Sequence, residues 1–77
     1  MFILGYGVKK DYKEAEYWYR KAAEQNHPWA QFNLGNIYSE GKGVTQNTTE
    51  AIYWYKKSAR QGIEPAQKEL SKLGETW

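Results

Sequence analysis

The chain has 77 residues, of which 11 are Lys or Arg and 9 are Asp or Glu, giving a formal net charge of +2. This length allows one small domain, and the mixed charge lacks the concentrated basic patch that nucleic-acid binding requires. The chain contains no cysteine, which excludes disulfides, cysteine-ligated zinc and a thiol nucleophile.

Membrane and export signals are also missing from the sequence. No apolar run approaches the length of a membrane span, so a spanning helix is not expected. The opening Met1-Phe2-Ile3-Leu4 is too short for the core of a signal peptide and has no basic residue before it. As written, the chain is expected in the cytoplasm, whereas a longer precursor would leave its compartment unknown.

The first ten residues match a later part of the chain at an offset of 36 residues. Met1–Leu4 align with Ile37–Glu40, and Gly5-x-Gly7-Val8 aligns with Gly41-x-Gly43-Val44. Residues 1–10 are therefore expected to hold the last turn of a truncated helix and a loop. The next helix would then lack its usual N-terminal partner and present an apolar leading edge.

The first full helix is expected to begin at Asp11, because Asp11 can cap the helix and Glu14 follows at the spacing of a capping box. Apolar residues then recur every three or four positions, which predicts one buried stripe. That stripe comprises Ala15, Trp18, Tyr19, Ala22 and Ala23. Trp18 is therefore interpreted as core rather than as a ligand platform. Asn26 is expected to end the helix in the left-handed conformation.

The second helix is predicted over residues 28–40, with Pro28 in its first turn. Its inward stripe is expected to comprise Ala30, Leu34, Ile37 and Tyr38. Gly41 would end this helix, and the segment from Gly41 to Gln46 would then return the chain.

The third helix repeats the first. Asn47 and Glu50 have the capping-box spacing, and Gly62 stands where Asn26 ends the first helix. The buried stripe is expected to comprise Ala51, Trp54, Tyr55, Ser58 and Ala59. A final helix over residues 64–73 would direct Ala66, Leu70 and Leu73 inward.

A period of 36 residues therefore runs through the chain, and a period of 20 to 50 residues is typical of stacked-repeat proteins. The residues resemble the Sel-1-like repeat, a relative of the tetratricopeptide repeat. The resemblance rests on Leu34-Gly35-x-x-Tyr38-x-x-Gly41-x-Gly43-Val44 and on Glu50-Ala51-x-x-Trp54-Tyr55-Lys56-Lys57-Ser58-Ala59-x-x-Gly62. The plain tetratricopeptide repeat is the alternative, but its period is about 34 residues and it lacks the Gly-x-Gly-Val loop.

The resemblance implies an all-α fold, a right-handed α/α superhelix of antiparallel helix pairs with about two repeats. Residues 1–77 would form a single domain, with the first repeat over 11–46 and the second over 47–77. Ser71 stands at the Gly35 position and Gly74 at the Tyr38 position, so the last helix is expected to be a degenerate capping copy.

No motif in the sequence indicates catalysis, a cofactor or a metal. The glycines of the Gly-x-Gly loops lack the preceding strand and the Lys-Ser/Thr ending of a phosphate-binding loop. His27 is the only histidine and has no partner ligand nearby in the sequence. Glu14, Glu16 and Glu24 are interpreted as a cap and a solvated face, and Asn47-Thr48-Thr49 as a helix cap rather than a glycosylation site.

The candidate binding residues are those of the second helix that lie opposite its buried stripe: Trp29, Phe32, Asn33, Asn36 and Glu40. In arrays of the family it resembles, the equivalent helix lines the concave face. The rings would anchor a peptide, and the amides would bond its backbone. In the alternative interpretation, Trp29 and Phe32 pack on neighbouring helices.

Three functions are compared. The favoured one is a non-catalytic adaptor or scaffold that binds a protein or peptide on its concave helical face. A second is a structural segment that assembles with itself, or with a longer repeat array, through the exposed N-terminal edge. A third is an enzyme acting on cell-wall or β-lactam compounds, as proposed for disulfide-rich relatives, but the sequence shows no nucleophile–base pair for it.

Overall fold

A computed structural model describes residues 12–77, which form four α-helices and contain no strand. The helices are α1 (Tyr12–Glu24), α2 (Pro28–Glu40), α3 (Thr48–Arg60) and α4 (Glu64–Lys72). Each packs against the next along the chain. The predicted all-α helical-repeat fold is confirmed. The predictions for residues 1–11, including the cap at Asp11, lie outside the described residues.

The turns form where the sequence predicts them. Asn26 and Gly62 follow α1 and α3 with φ of 70° and 92°, both in the left-handed region. Gly41 ends α2 with φ of 70°, and its N–H donates to the carbonyl of Ile37 at 2.8 Å. Oδ1 of Asn47 caps α3 by accepting from the N–H of Glu50 at 3.0 Å. These interactions confirm the predicted ends of the helices.

The core lies between α2 and α3 and extends to α4. Leu34, Tyr55 and Leu70 are fully buried there. The predicted inward stripes of α2 and α3 are confirmed, because every residue assigned to them is buried. At about 25 cal/mol per Å² of apolar surface removed from water, burial of these large side chains is the main source of stability.

Three residues predicted to be buried are exposed. Trp18 and Tyr19 are 58% and 36% exposed, whereas their period mates Trp54 and Tyr55 are 5% and 1% exposed. The reason is that α3 packs on both α2 and α4, whereas among the described helices α1 packs on α2. Leu73 is 44% exposed because α4 ends at Lys72 and Leu73 is its C-cap.

Two glutamines each bond their helix to the helix before it. Nε2 of Gln31, a residue only 1% exposed, donates to the carbonyl of Ala23 at 3.1 Å. One period later, Nε2 of Gln67 donates to the carbonyl of Ala59 at 2.9 Å. These bonds satisfy the polar groups that close packing removes from water.

An ionic cluster holds α1 on α2. Oε2 of Glu16 accepts from Nε of Arg20 at 2.8 Å and from Oη of Tyr38 at 2.9 Å. Arg20 also donates to Oη of Tyr38. In the second repeat, Lys56 replaces Arg20 and lies 3.3 Å from the carboxylate of Glu75.

None of the four described helices is long and apolar enough to cross a membrane.

Candidate functional site

The five candidate residues share one face of α2, because their spacing of three and four positions matches the helical period. Trp29 is 55% exposed, and Glu40 is exposed as well. Phe32, Asn33 and Asn36 are half-buried between them. The face therefore presents one exposed indole, a shallow row of partly covered side chains and a carboxylate at its C-terminal end.

Three aromatic rings meet at the N-terminal half of this face. Trp29 and Phe32 lie edge to face with 5.9 Å between ring centroids, and Phe32 lies at the same distance from Tyr55 of α3. The alternative that these rings pack on neighbouring helices thus holds for Phe32, which packs against the core. The indole of Trp29 stays largely in solvent and is supported from one side by Phe32.

Tyr55 of α3 supports the middle of the face. Its ring lies against Gly35, where an added Cβ would come within 2.7 Å of Cδ1 of Tyr55. Its Oη donates to Oδ1 of Asn36 at 2.5 Å. Burial, as the main cause, raises the pKa of Tyr55 to about 12. The phenol is therefore protonated at neutral pH and serves Asn36 as a hydrogen-bond donor.

That hydrogen bond sets the orientation of the Asn36 amide. Because Oδ1 accepts from Tyr55, Nδ2 is the part of the amide left to bind something else, and it makes no hydrogen bond within residues 12–77. The side chain of Asn33, one turn earlier, also makes none with the described residues. The centre of the face therefore presents one oriented pair of N–H donors and one unengaged amide.

Glu40, in contrast, already has a partner. Its Oε1 lies 3.3 Å from Nζ of Lys42, and both side chains are about half exposed. The hydrogen bond with Glu40 is the main cause that raises the pKa of Lys42. An exposed pair of this kind contributes little to stability and can exchange partners. Glu40 is therefore a weaker binding candidate than its sequence position suggested.

A second exposed surface lies on α1. Tyr17 and Trp18 are 50% and 58% exposed and lie edge to face with centroids 5.0 Å apart. Lys21 lies 5.3 Å from the ring centroid of Tyr17. Trp18 and Tyr19 lie on the side of α1 that corresponds to the buried side of α3, whereas the period mate of Tyr17 is Tyr53, which is 52% exposed.

No three His, Cys, Asp or Glu side chains of residues 12–77 come together as a metal would require. An open depression of about 480 Å³ lies on α4. Its lining includes Gln67, Lys68, Ser71 and Trp77 but none of the five candidate residues of α2.

Tyr55 belongs to this site as well as to the core, whereas the sequence pattern predicts it only as a core residue. A signal was present, because a buried tyrosine hydroxyl normally needs a hydrogen-bond partner. Asn36, on the facing helix, is that partner.

Comparisons with known proteins agree on one family. The Sel1 repeat family model matches residues 1–27 and 30–63. A crystal structure of a Sel1 repeat protein from Oxalobacter formigenes is similar, with 49% identity over 87% of this chain and a TM-score of 0.82. The matched part is 27% of that protein's chain, so this chain spans about a quarter of its length. The search of curated proteins gives no match.

Proposed function

The chain belongs to the Sel1 repeat family, whose members generally act as protein-interaction modules, and on that premise we propose that it binds an extended peptide along the exposed face of α2. The peptide is a segment of a protein partner, so the module acts as a non-catalytic adaptor or scaffold. The observation that carries this proposal is the Asn36 amide, which Tyr55 holds with its N–H donors available.

The orientation of the Asn36 amide determines which groups of a partner it can bind. A side-chain amide can donate or accept, but Oδ1 of Asn36 already accepts from Tyr55 at 2.5 Å. Asn36 therefore offers donors, which bind a carbonyl oxygen of a peptide backbone. Because the supporting phenol has a pKa of about 12, this preference holds across the physiological pH range.

Asn33 supplies the second polar contact. On a helix, residues three positions apart lie about 5 to 6 Å from each other, so Asn33 and Asn36 form neighbouring amides on the same face. Carbonyls on one side of an extended peptide recur every second residue, about 6.5 to 7 Å apart. The two amides are thus spaced to bond alternate carbonyls, which gives affinity without demanding a particular peptide sequence.

Trp29 supplies the apolar contact. Its indole is more than half exposed and is held edge to face on Phe32, with 5.9 Å between centroids. An aromatic ring supported by its neighbours loses little entropy when it binds, and such rings dominate many interfaces. We assign Trp29 as the anchor for one large apolar side chain of the peptide, with Phe32 as its support. Glu40 is the end of the face, where it can exchange Lys42 for a basic residue of the peptide.

The experiment that tests this function is a selection of peptides from a random library displayed on phage, against the whole chain. Selected peptides should bind the wild type and lose binding to Asn36→Asp. The aspartate can still accept from Tyr55, but it offers no N–H donor and repels carbonyl oxygens. Peptides that bind both proteins equally would exclude the α2 face as the site.

A second candidate function is structural, and the exposed rings of α1 favour it. Trp18 and Tyr19 are the period mates of residues that α3 buries against its neighbours. We propose that another helix covers this face, either in a longer repeat array or in a second copy of the chain. Burying one such ring typically contributes about 1.5 to 3 kcal/mol. Sedimentation as a monomer at every concentration tested, together with cooperative melting, would contradict this candidate.

A further inference from the structure

The contact between α2 and α3 provides a template for assembly. Among its interactions, the ring of Tyr55 lies on Gly35, the hydroxyl of Tyr55 donates to Asn36, and Nε2 of Gln61 donates to Oε1 of Gln31 at 2.9 Å. The 36-residue period places counterparts of both halves of this contact on the outer faces of α1 and α4. Each outer face can therefore be compared with a contact of known geometry.

The outer face of α1 carries residues that correspond to the α3 side of this contact. Tyr19 corresponds to Tyr55 and Gln25 to Gln61, and both are exposed. Trp18, beside them, is 58% exposed. Tyr19 and Gln25 are thus present and accessible on α1, whereas Ala22 stands where Ser58 of α3 donates to the carbonyl of Pro28 at 2.8 Å.

The outer face of α4 carries residues that correspond to the α2 side of this contact. Gln67 corresponds to Gln31, and its Nε2 is held by the carbonyl of Ala59 just as Nε2 of Gln31 is held by Ala23. Its amide is therefore oriented in the same way. Oε1 of Gln67, however, accepts no hydrogen bond from residues 12–77, whereas Oε1 of Gln31 accepts from Gln61. The α4 face thus presents an oriented acceptor without its donor.

We propose that α1 of a second copy of this chain docks on the α4 face, head to tail, in the geometry by which α3 lies on α2. The donor that Gln67 lacks would be Gln25 of the second copy. This proposal deepens the structural candidate function and does not depend on peptide binding by α2. It involves no residue of the proposed peptide face.

The charged residues of α4 are compatible with this occupant. Lys72 stands at the position of Asn36, and its ammonium can donate to the hydroxyl of an incoming Tyr19. Lys68 stands at the position of Phe32, where it can lie on the tyrosine ring. This chain uses that contact elsewhere, since Lys21 lies 5.3 Å from the centroid of Tyr17 and Lys57 lies 5.4 Å from that of Tyr53.

Ser71 sets the strength of the contact, because it replaces Gly35. A Cβ at Gly35 would lie 2.7 Å and 2.8 Å from two ring carbons of Tyr55, closer than such atoms approach. Ser71 carries that Cβ and would press on the ring of Tyr19 in the same way. The ring must shift, which weakens the contact. Head-to-tail association of the wild-type chain is therefore weak, and Ser71→Gly strengthens it.

The symmetry of the contact predicts the form of the assembly. It joins two different faces, so each added copy leaves one α1 face and one α4 face open. Association should therefore grow with concentration into chains of copies rather than stop at a dimer. A closed dimer would require the same face on both copies.

Sedimentation equilibrium of the whole chain tests the proposal with four proteins. Ser71→Gly should associate at least about tenfold more tightly than the wild type, a change of about 1.4 kcal/mol. Its mass should rise steadily with concentration. The double variant Ser71→Gly with Tyr19→Ala should return to a monomer, because its α1 face is disabled. Adding Tyr53→Ala to Ser71→Gly should leave the association intact, since Tyr53 is also an exposed tyrosine but belongs to neither face.

A mixing experiment supplies the sharpest result. The double variant keeps an improved α4 face, and the wild type keeps an intact α1 face, so an equal mixture should form a one-to-one complex and stop there. Circular dichroism of each variant checks its folding. The proposal is overturned if Ser71→Gly associates no more tightly than the wild type. It is also overturned if the double variant associates as Ser71→Gly does, or if the mixture stays monomeric.

Discussion

The ring of Tyr55 lies so close to Gly35 that a Cβ on this glycine would come within 2.7 Å of Cδ1. Only glycine allows α3 to approach α2 this closely. The approach in turn brings Oη of Tyr55 to Asn36 and orients the amide at the centre of the proposed peptide face. The close packing of α3 on α2 and the orientation of the Asn36 amide thus both depend on the contact between Tyr55 and Gly35.

The first prediction follows from that contact. Gly35→Ala should destabilise the fold by about 1 to 3 kcal/mol, because overpacking outweighs the better helix propensity of alanine. Ser71→Ala is the matched control, since it occupies the same register of α4 with an exposed side chain. The control should stay within about 0.5 kcal/mol of the wild type. Urea denaturation measures both, and equal stability of the two variants would refute the packing argument.

A second prediction compares the two repeated glutamines. Gln31→Ala should cost about 1 to 3 kcal/mol, because it removes the hydrogen bonds that the buried Gln31 makes with the carbonyl of Ala23 and with the amide of Gln61. Gln67→Ala should cost less, since Gln67 makes only the bond to Ala59 and is half-buried. The difference is measured by urea denaturation. A larger loss for Gln67→Ala would contradict the assigned bonds.

The third prediction concerns alkaline pH. The folded state holds the pKa of Tyr55 at about 12, above the ordinary value of 10.0. Between these values the folded protein keeps a proton that the unfolded chain has lost, so stability falls as pH rises from about 10 to 12. Tyr55→Phe removes this contribution. Its stability should decline less steeply than that of the wild type over the same range, and identical slopes would exclude the shift.

The fourth prediction concerns how α1 is held. Glu16→Gln should weaken the contact with α2 by about 1 to 2 kcal/mol, because Arg20 and Tyr38 lose a charged acceptor. Amide hydrogen exchange along α1 should accelerate while α3 stays protected. Glu24→Gln, at an exposed position of the same helix, should leave both unchanged. Equal acceleration in α1 by the two variants would place the stabilising interaction elsewhere.

Much of the fold could be predicted from the sequence, because its determinants are local. Pro28 and Gly41 bound α2 where expected, and Asn47 caps α3 as its spacing with Glu50 indicates. The 36-residue period wrongly predicted that Trp18 is buried like Trp54. Period mates are equally buried only when their helices have the same neighbouring helices. The division into repeats over 11–46 and 47–77 stays a prediction.

The sequence predicted which residues share the candidate face of α2, but not the hydrogen bonds and ring contacts that those residues make. Helical spacing places Trp29, Asn33 and Asn36 on one side of α2, and this much the sequence contains. It does not reveal that Oδ1 of Asn36 accepts from Tyr55, because that bond joins residues 19 positions apart. Nor does it reveal that Phe32 packs on Tyr55 while Trp29 stays exposed.

The most direct test of the account is the affinity of a library-selected peptide for the whole chain, measured by isothermal titration calorimetry. Asn36→Asp and Trp29→Ala should each weaken binding by about tenfold or more, a loss of at least about 1.4 kcal/mol. Tyr53→Ala should leave affinity unchanged, because Tyr53 lies on the other side of α3 from Tyr55. Unchanged affinity in Asn36→Asp, with the fold intact by circular dichroism, would contradict the assignment of α2 as the binding face.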